Sequence, residues 1–481
     1  MSHQEKNQCK FYKDGKCFVR KDCLHIHPTE FTVLPKPDKK LPSKEVETKD
    51  DGSKELSSDS KELSGDVSEE YEDGEELSVN EKDSEKKKDE CEDEALSETE
   101  VAEKEMRAAI SRVLDNKSKC SSDVHYLANT LRERVLTPFL VDNLNDIMSI
   151  IVRSIRSGRE ADIVSGASLS TVVIISVATF KESERVYKSI HPIITEIISD
   201  PSSSPISKFE CSTALAIGCF LSCNNVSELK NVCKTLQSLY VQSLPDENGK
   251  FPTNTVDTYQ CHIAAIHNHC LLMTIMSPSY VFKNANELVE IMFTLLSCSY
   301  LGIRIAAGEA IALVYEIARE HNEDYSWNKG NELSQALKEL ATDSQKFRAK
   351  KDLKEQRCTF REVMRSINDR EISDDKIQFG PMLQRQDFSL NTWKLKCQYQ
   401  ALRHSLVSGI NTHLTFNIGL RNLYELGPPP EKIDGKTRFN MRRNIKNQNR
   451  INNIGKARTQ SHNKVRANNL NKPVSFTNAE E

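Results

Sequence analysis

The chain is short of aromatic and apolar residues: aromatic side chains make up 6% and hydrophobic side chains 37% of its 481 residues. These fractions are below those of an average globular protein, so we expect part of the chain to lack a packed core. No apolar run approaches the roughly 20 residues that span a bilayer. The N-terminal MSHQEKNQCK has no apolar signal-peptide core. We therefore expect a cytoplasmic or nuclear protein without membrane contact.

Motifs typical of enzymes are also missing. The sequence has no glycine-rich phosphate loop, no HExxH pair and no nucleophile elbow. One cluster, CHIAAIHNHC at 261–270, holds three histidines and two cysteines. Positions five and seven apart point in different directions on a helix, so a buried helix is a better interpretation than a metal site. The sequence favours a binding scaffold over an enzyme and predicts no small-molecule substrate.

Charge is strongly segregated, although the formal net charge is only −4. Residues 44–105 contain 26 Asp and Glu against nine Lys and Arg, a local net charge of −17. Residues 436–472 contain 11 Lys and Arg and no acid, a local net charge of +11. The two blocks are separated by an apolar region, so the ends of the chain are expected to have different partners.

Most of the 14 cysteines lie singly in apolar stretches, but the first three have the spacing of metal ligands. In CKFYKDGKCFVRKDCLHIHP, seven, five and three residues separate four candidate ligands: Cys9, Cys17, Cys23 and His27. These intervals resemble those of CCCH zinc fingers. Thiolate and imidazole ligands favour tetrahedral Zn²⁺, and a segment this short needs the metal to fold. We predict one structural zinc ion in residues 1–35, with His25 as a rival fourth ligand.

Fingers of the CCCH family commonly bind single-stranded RNA by stacking bases on aromatic side chains. Here aromatic and basic residues alternate between the predicted ligands, and the candidates for RNA contact are Phe11, Tyr12, Phe18 and Arg20. His25 stands where the family often has an aromatic residue, and it stacks less well. A finger that binds protein or only stabilises the fold is the alternative.

The segment 36–100 is of low complexity and strongly acidic. It cannot bury enough apolar surface to offset the entropy of ordering, so we expect an acidic disordered linker. It is either a solvated spacer or an intramolecular competitor of RNA for the basic end of the chain.

Apolar residues recur at helical spacing from about residue 101 to 375. In NLNDIMSIIVRSI, for example, one helix face carries Leu144, Ile147, Ile151 and Ile155. Similar runs follow, separated by breaks such as DPSSSP and PDENGKFP, and no alternating strand pattern lies between them. Roughly 40 residues per helix pair predict an all-α fold, an armadillo- or HEAT-like helical solenoid.

Three stretches resemble the interferon-related developmental regulator family: LGIRIAAGEAIALVYEIARE, QKFRAKKDLKEQRCTFREVMRSI and ALRHSLVSGINTHLTFNIGLRNLYELGPPP. The resemblance runs from about residue 102 to 430. It implies an armadillo-like helical domain (101–375) followed by a small C-terminal domain (385–432). It also implies a non-enzymatic role, as a transcriptional co-regulator or as a ribosome-associated factor whose C-terminal segment enters the RNA-bearing intersubunit space. The zinc finger is not part of the family pattern.

Two further basic stretches are candidates for RNA contact. FRAKKDLKEQR at 347–357 predicts a helix on which Arg348, Lys350, Lys351 and Lys354 lie close together, either as a phosphate-contacting ridge or as an ordinary solvated face. The basic disordered tail, residues 433–481, contains Arg442, Arg443, Lys446 and Arg450. Such a tail gives salt-sensitive, sequence-independent nucleic-acid affinity. A nuclear-import signal or a solubilising tail would have the same composition.

The small C-terminal domain is expected to have a core of its own, built from Trp393, Leu395, Leu402 and Leu406. The sequence as a whole predicts a regulatory scaffold that binds zinc through its finger. We expect it to associate with ribosomal RNA through finger and tail, and with proteins through the solenoid, and so to modulate translation. The alternative is a nuclear transcriptional co-regulator that uses the solenoid for protein contacts.

Overall fold

The computed structural model describes residues 98–115, 121–178, 181–342, 350–381 and 383–431, together with Thr459. The predicted zinc finger, the acidic segment up to residue 97 and the basic tail apart from Thr459 lie outside this part of the chain. The described residues all belong to one compact unit, Glu98–Glu481.

This part of the chain is mostly helical, as predicted. Its helices, in chain order, are α1 (Glu98–Asp115), α2 (Ser121–Glu133), α3 (Thr137–Asp142), α4 (Leu144–Ile155), α5 (Glu160–Ser176), α6 (Lys181–Ser199), α7 (Pro205–Ser222), α8 (Val226–Tyr240), α9 (Val256–Met273), α10 (Pro278–Leu295), α11 (Leu301–His321), α12 (Gly330–Thr342), α13 (Lys350–Asn368), α14 (Trp393–Leu406), α15 (Ile410–Phe416) and α16 (Ile418–Leu423). Short 3₁₀ turns follow α8 (Val241–Ser243) and α14 (Val407–Gly409).

Apart from the short α3, the helices up to α13 form stacked pairs in two layers. The inner layer is the series α2, α5, α7, α9, α11 and α13, in which each helix contacts the next. The outer layer consists of α1, α4, α6, α8, α10 and α12, and each of these packs against the inner helix that follows it. This arrangement has the pairwise stacking of a helical solenoid.

Burial explains which helices take which layer. The middle of α5 reads SLSTVVIIS, and Leu169, Val172, Val173, Ile174 and Ile175 are all fully buried. A helix that is apolar on every side is stable only when neighbours cover all its faces. The outer helix α4 buries one stripe, including Ile147 and Ile151, and leaves its other side to solvent.

Side-chain caps begin several of these helices at the breaks visible in the sequence. The Ser204 hydroxyl accepts the Ser207 N–H ahead of α7, and Pro205 occupies the first helical position. The Asn225 side chain caps α8, and Thr255 caps α9 by accepting the Thr258 N–H. These residues satisfy backbone donors that would otherwise lack partners.

A β-hairpin is added to the predicted all-α fold. Strand β1 (Asp375–Phe379) pairs antiparallel with β2 (Gln386–Leu390), with Ile377 opposite Phe388. Phe379, Phe388 and Leu390 are buried. Gly380, at φ +92°, begins the turn in a backbone conformation that glycine readily adopts.

Residues 393–428, called here the C-terminal segment, run back across the inner layer. Helix α14 contacts α11, α9 and α5, whereas α15 contacts α2 and α16 contacts α5. Trp393, Leu402 and Leu406 are buried as predicted, and Leu395 is half-buried. These residues pack within the same compact unit as the solenoid. In the described part of the chain, no helix is both long and apolar enough to cross a membrane.

Candidate functional site

One face of α13 carries a row of basic side chains. Four basic side chains follow each other at spacings of three, seven and four residues and are all exposed: Lys351, Lys354, Arg361 and Arg365. Such spacings place them on one helix face. None of the four forms an ion pair with another described residue, and their basic groups face solvent. This set is called here the α13 cationic face.

The opposite face of α13 is anchored in the core. Its buried side chains are Leu353, Phe360, Val363 and Ile367. Phe360 lies against Gly308 of α11, where a Cβ would be 2.6 Å from the Phe360 ring. The small residue therefore lets the ring enter the space between the two helices.

Buried hydrogen bonds also fix the position of α13. Arg304 of α11, itself buried, donates from Nη2 to Gln356 Oε1 at 2.8 Å, and its Nη1 bonds the carbonyl oxygens of Cys298 and Ser299. Gln356 Nε2 in turn donates to the Leu340 carbonyl at 3.1 Å. The α13 cationic face is therefore presented by a helix that both core packing and buried polar bonds hold in place.

Most of the site residues predicted from the sequence lie outside the described residues. These are the zinc ligands Cys9, Cys17, Cys23 and His27, the finger residues Phe11, Tyr12, Phe18 and Arg20, the ridge residue Arg348 and the tail residues Arg442, Arg443, Lys446 and Arg450. Of the predicted RNA contacts, the ridge residues Lys351 and Lys354 are described, and both are exposed on α13. Among the described residues, no group of three or more His, Cys, Asp or Glu side chains could hold a metal ion.

Sequence reasoning missed Arg361 and Arg365, the second half of the α13 cationic face. The signal was present, because the buried residues Leu353, Phe360 and Ile367 recur every seven positions. A helix with that apolar seam places positions 351, 354, 361 and 365 on its solvent side.

The end of α13 is joined to the start of the C-terminal segment by polar contacts. Glu316 of α11 accepts the backbone N–H groups of Trp393 and Lys394 at 2.7 and 3.0 Å, so a carboxylate caps the N-terminus of α14. Trp393 Nε1 donates to Ser366 Oγ of α13 at 2.7 Å. Burial raises the pKa of Glu316, although the two backbone N–H groups oppose that shift.

A second set of contacts fixes the far end of the C-terminal segment on the inner layer. Arg132 of α2 donates from Nε to the Ser405 carbonyl at 3.0 Å. The fully buried His413 contacts the Leu131 carbonyl through Nε2 at 2.9 Å. Asn417 Nδ2 donates to the Ile175 carbonyl at 2.8 Å. These contacts join parts of the chain more than 240 residues apart.

The GPPP stretch is held by a buried arginine. Arg421 is 1% exposed, and its guanidinium donates to five backbone carbonyls and one side-chain amide: Leu414, Thr415, Leu426, Gly427, Pro428 and the Gln386 side chain. Gln386 belongs to β2, so the same guanidinium links the hairpin to the last helices. The direction in which the chain leaves residue 428 is thereby fixed.

The histidine cluster of α9 is part of the core. Tyr240 OH and His269 Nδ1 are hydrogen-bonded at 2.9 Å, as are Ser243 Oγ and His262 Nδ1 at 2.6 Å. Burial lowers the pKa of both histidines to about 4. His267 lies on a different side of the helix, 3.5 Å from a carboxylate oxygen of Glu309.

The family model for the interferon-related developmental regulators matches residues 76–368, which end at the last residue of α13. Three curated relatives extend the comparison. Interferon-related developmental regulator 1 of Rattus norvegicus is 31% identical over 329 residues, 68% of this chain and 72% of that protein. Its Homo sapiens counterpart is 30% identical over 366 residues, 76% and 80% of the two chains.

The third is interferon-related developmental regulator 2 of Mus musculus, 27% identical over 333 residues, 69% of this chain and 75% of that protein. The matched region contains both layers of the solenoid and the whole α13 cationic face. The chain belongs to the interferon-related developmental regulator family.

Proposed function

We propose that the protein is a non-enzymatic regulatory scaffold that associates with ribosomal RNA and modulates translation. The observation that carries this proposal is the α13 cationic face, four exposed and unpaired basic side chains on a helix held rigidly by the core. Regularly spaced Lys and Arg bind the phosphates of an RNA backbone and release its counterions.

The basic tail supports the same function. It follows the C-terminal segment in the sequence, after residue 428. Residues 436–472 of the tail contribute 11 further Lys and Arg residues without an acid. Tail and α13 would therefore both add phosphate contacts, and the affinity should be strongly salt-dependent.

In this proposal the predicted finger binds one structural Zn²⁺ through Cys9, Cys17, Cys23 and His27. Its aromatic and basic residues add a site for single-stranded RNA. The zinc has a structural role, since all four coordination positions are taken by protein ligands.

The α13 cationic face is tested by ribosome binding of the full chain. The variant Lys351→Ala/Lys354→Ala/Arg361→Ala/Arg365→Ala removes the face, and its affinity for purified ribosomes is measured by sedimentation across a salt series. We expect weaker binding and a flatter salt dependence, by roughly 0.7–0.9 log–log units per lost phosphate contact.

A matched control removes four exposed cations elsewhere on the fold: Lys104, Lys234, Lys250 and Lys283. It has the same net charge as the test variant, so it reports any effect of charge alone. Equal binding by the two variants would show that α13 is not an RNA-contacting surface.

The second candidate function is a nuclear transcriptional co-regulator, in which the solenoid binds proteins. The C-terminal segment already lies on helices α2, α5, α9 and α11 of the inner layer, so a protein partner would need another surface. Cell fractionation with and without RNase separates the two functions. RNase-sensitive sedimentation with ribosomes supports the first, and exclusive association with chromatin supports the second.

A further inference from the structure

A second cationic site lies in the outer layer, in a groove between α4 and α6. The groove is open to solvent, has a volume of about 800 Å³ and is lined by Asn145, Met148, Ser149, Val152, Arg153, Arg156, Ser157 and Arg185. Three of the eight lining residues are arginines and none is acidic. The three arginines are called here the groove arginines.

Two of the three groove arginines are held by neutral groups. Arg153 donates to the Val113 carbonyl in the last turn of α1, and Arg185 donates to the Asn145 side-chain oxygen. These bonds orient two guanidinium groups without neutralising them. Two acids of the adjoining turns are paired with other cations: Asp162 with Arg159, and Glu184 with Lys188.

Helix stabilisation accounts for only part of this arrangement. Arg153 and Arg156 lie at the C-terminal end of α4, where basic residues interact favourably with the helix dipole. Arg185 is the fifth residue of α6, beyond the first turn, so the dipole of α6 does not account for a cation there. Three like charges that line one groove without an acid among the lining residues point to an anionic ligand.

The lining also indicates the chemical class of that ligand. Single-stranded RNA is held by stacking of bases on aromatic rings, and no aromatic residue lines the groove. Arginine clusters with neighbouring amide and hydroxyl groups recognise phosphorylated and acidic peptide motifs, and Met148 and Val152 provide an apolar floor for side chains of a peptide. A volume of about 800 Å³ admits several peptide residues.

We propose that the groove between α4 and α6 binds an acidic, phosphorylated peptide segment of a partner protein. The groove arginines bind its phosphate and carboxylate groups, with Arg156 and Arg185 supplying the exposed guanidinium groups. This protein-binding site is separate from the α13 cationic face and goes beyond the proposed association with RNA.

The test uses the full chain and a fluorescent Asp/Glu-rich peptide that carries phosphoserine. Fluorescence anisotropy compares wild type with Arg156→Ala/Arg185→Ala, which leaves the half-buried Arg153 and its bond to α1 intact. The control variant Lys181→Ala/Lys188→Ala removes two exposed cations of α6 that do not line the groove. The quadruple α13 variant is tested with the same peptide, and all variants are also tested with a single-stranded RNA probe.

We expect the groove variant to lose peptide affinity by about tenfold or more, since charge-assisted hydrogen bonds contribute on that order. The control and the α13 variant should bind the peptide as wild type does, and the groove variant should keep its RNA affinity. Three results would overturn the proposal: no peptide binding by wild type, the same peptide affinity in the groove and control variants, or loss of RNA affinity alone in the groove variant. Failure of the proposed RNA function would be seen separately, as unchanged ribosome binding by the α13 variant.

Discussion

Gly409 and Arg132 are in backbone contact: a Cβ on Gly409 would lie 1.6 Å from the Arg132 carbonyl oxygen. Gly409 ends the 3₁₀ turn between α14 and α15, and Arg132 lies in the last turn of α2. The φ angle of Gly409 is −80°, which any residue can adopt. Glycine is therefore required here for space, because the C-terminal segment approaches the solenoid backbone without room for a side chain.

Gly409→Ala should lower the free energy of unfolding by about 3 kcal/mol, because the obstacle is backbone that cannot rotate away. Urea denaturation followed by circular dichroism measures the change. The control is Gly330→Ala at the start of α12, where the nearest atom to the new Cβ is the flexible Ser326 hydroxyl at 3.2 Å. If Gly409→Ala lowered the free energy of unfolding no more than Gly330→Ala does, the close packing of the C-terminal segment would be contradicted.

Arg421→Ala should release the end of the C-terminal segment. The substitution leaves five backbone carbonyls without their donor, and we expect a loss of about 3 kcal/mol. Hydrogen exchange should rise most over residues 414–428. Arg385→Ala, at an exposed position on the hairpin, is the control and should leave the exchange of these residues unchanged.

His413 should make stability depend on pH. Burial lowers its pKa from 6.5 to about 4, although contacts with the Leu131 and Arg132 backbone oppose that shift. The unfolded chain therefore binds more protons than the folded one between these values. The stability is fully present above pH 6.5 and is lost as pH falls towards 4, by up to about 3 kcal/mol for this one group.

Urea denaturation of wild type and His413→Gln at a series of pH values measures this effect. The variant should have lower stability at neutral pH but a smaller loss on acidification. His321→Gln changes an exposed histidine and should keep the wild-type pH dependence. If the free energy of unfolding fell equally with pH in wild type and His413→Gln, His413 would not be the source of the pH dependence.

The predicted finger gives a stoichiometric prediction. The full chain should bind one Zn²⁺, Cys17→Ser should abolish the binding, and His25→Ala should leave it largely intact because His27 is the expected fourth ligand. Metal analysis of purified protein after dialysis measures the content. If the Cys17→Ser protein kept its full zinc content, the four predicted residues would not be the zinc ligands.

The basic tail gives the last prediction. Replacing Arg442, Arg443, Lys446 and Arg450 with Ala should weaken binding to purified ribosomes and flatten its salt dependence by roughly 0.7–0.9 log–log units per contact. The stability of the solenoid should not change. If the variant binds as tightly as wild type at every salt concentration, the tail is not an RNA-contacting element.

Helical periodicity was enough to predict a fold of successive helices, because an apolar stripe or an apolar run is visible within a few turns of sequence. The stretch at 347–357 likewise indicated a basic helix, and Lys351 is exposed on α13 as that pattern requires. The hairpin at 375–390 was missed because its two strands are five residues each and only three of their side chains, Phe379, Phe388 and Leu390, are buried.

The sequence by itself thus determined the helical class, the family and the segregation of charge, all of which are local properties of the chain. Only the tertiary structure decided where residues distant in sequence meet. It placed Gly409 against Arg132, and it brought Arg185 into one groove with Arg153 and Arg156. Such contacts depend on how helix pairs stack and on the path of the returning segment, and no local periodicity encodes either of these.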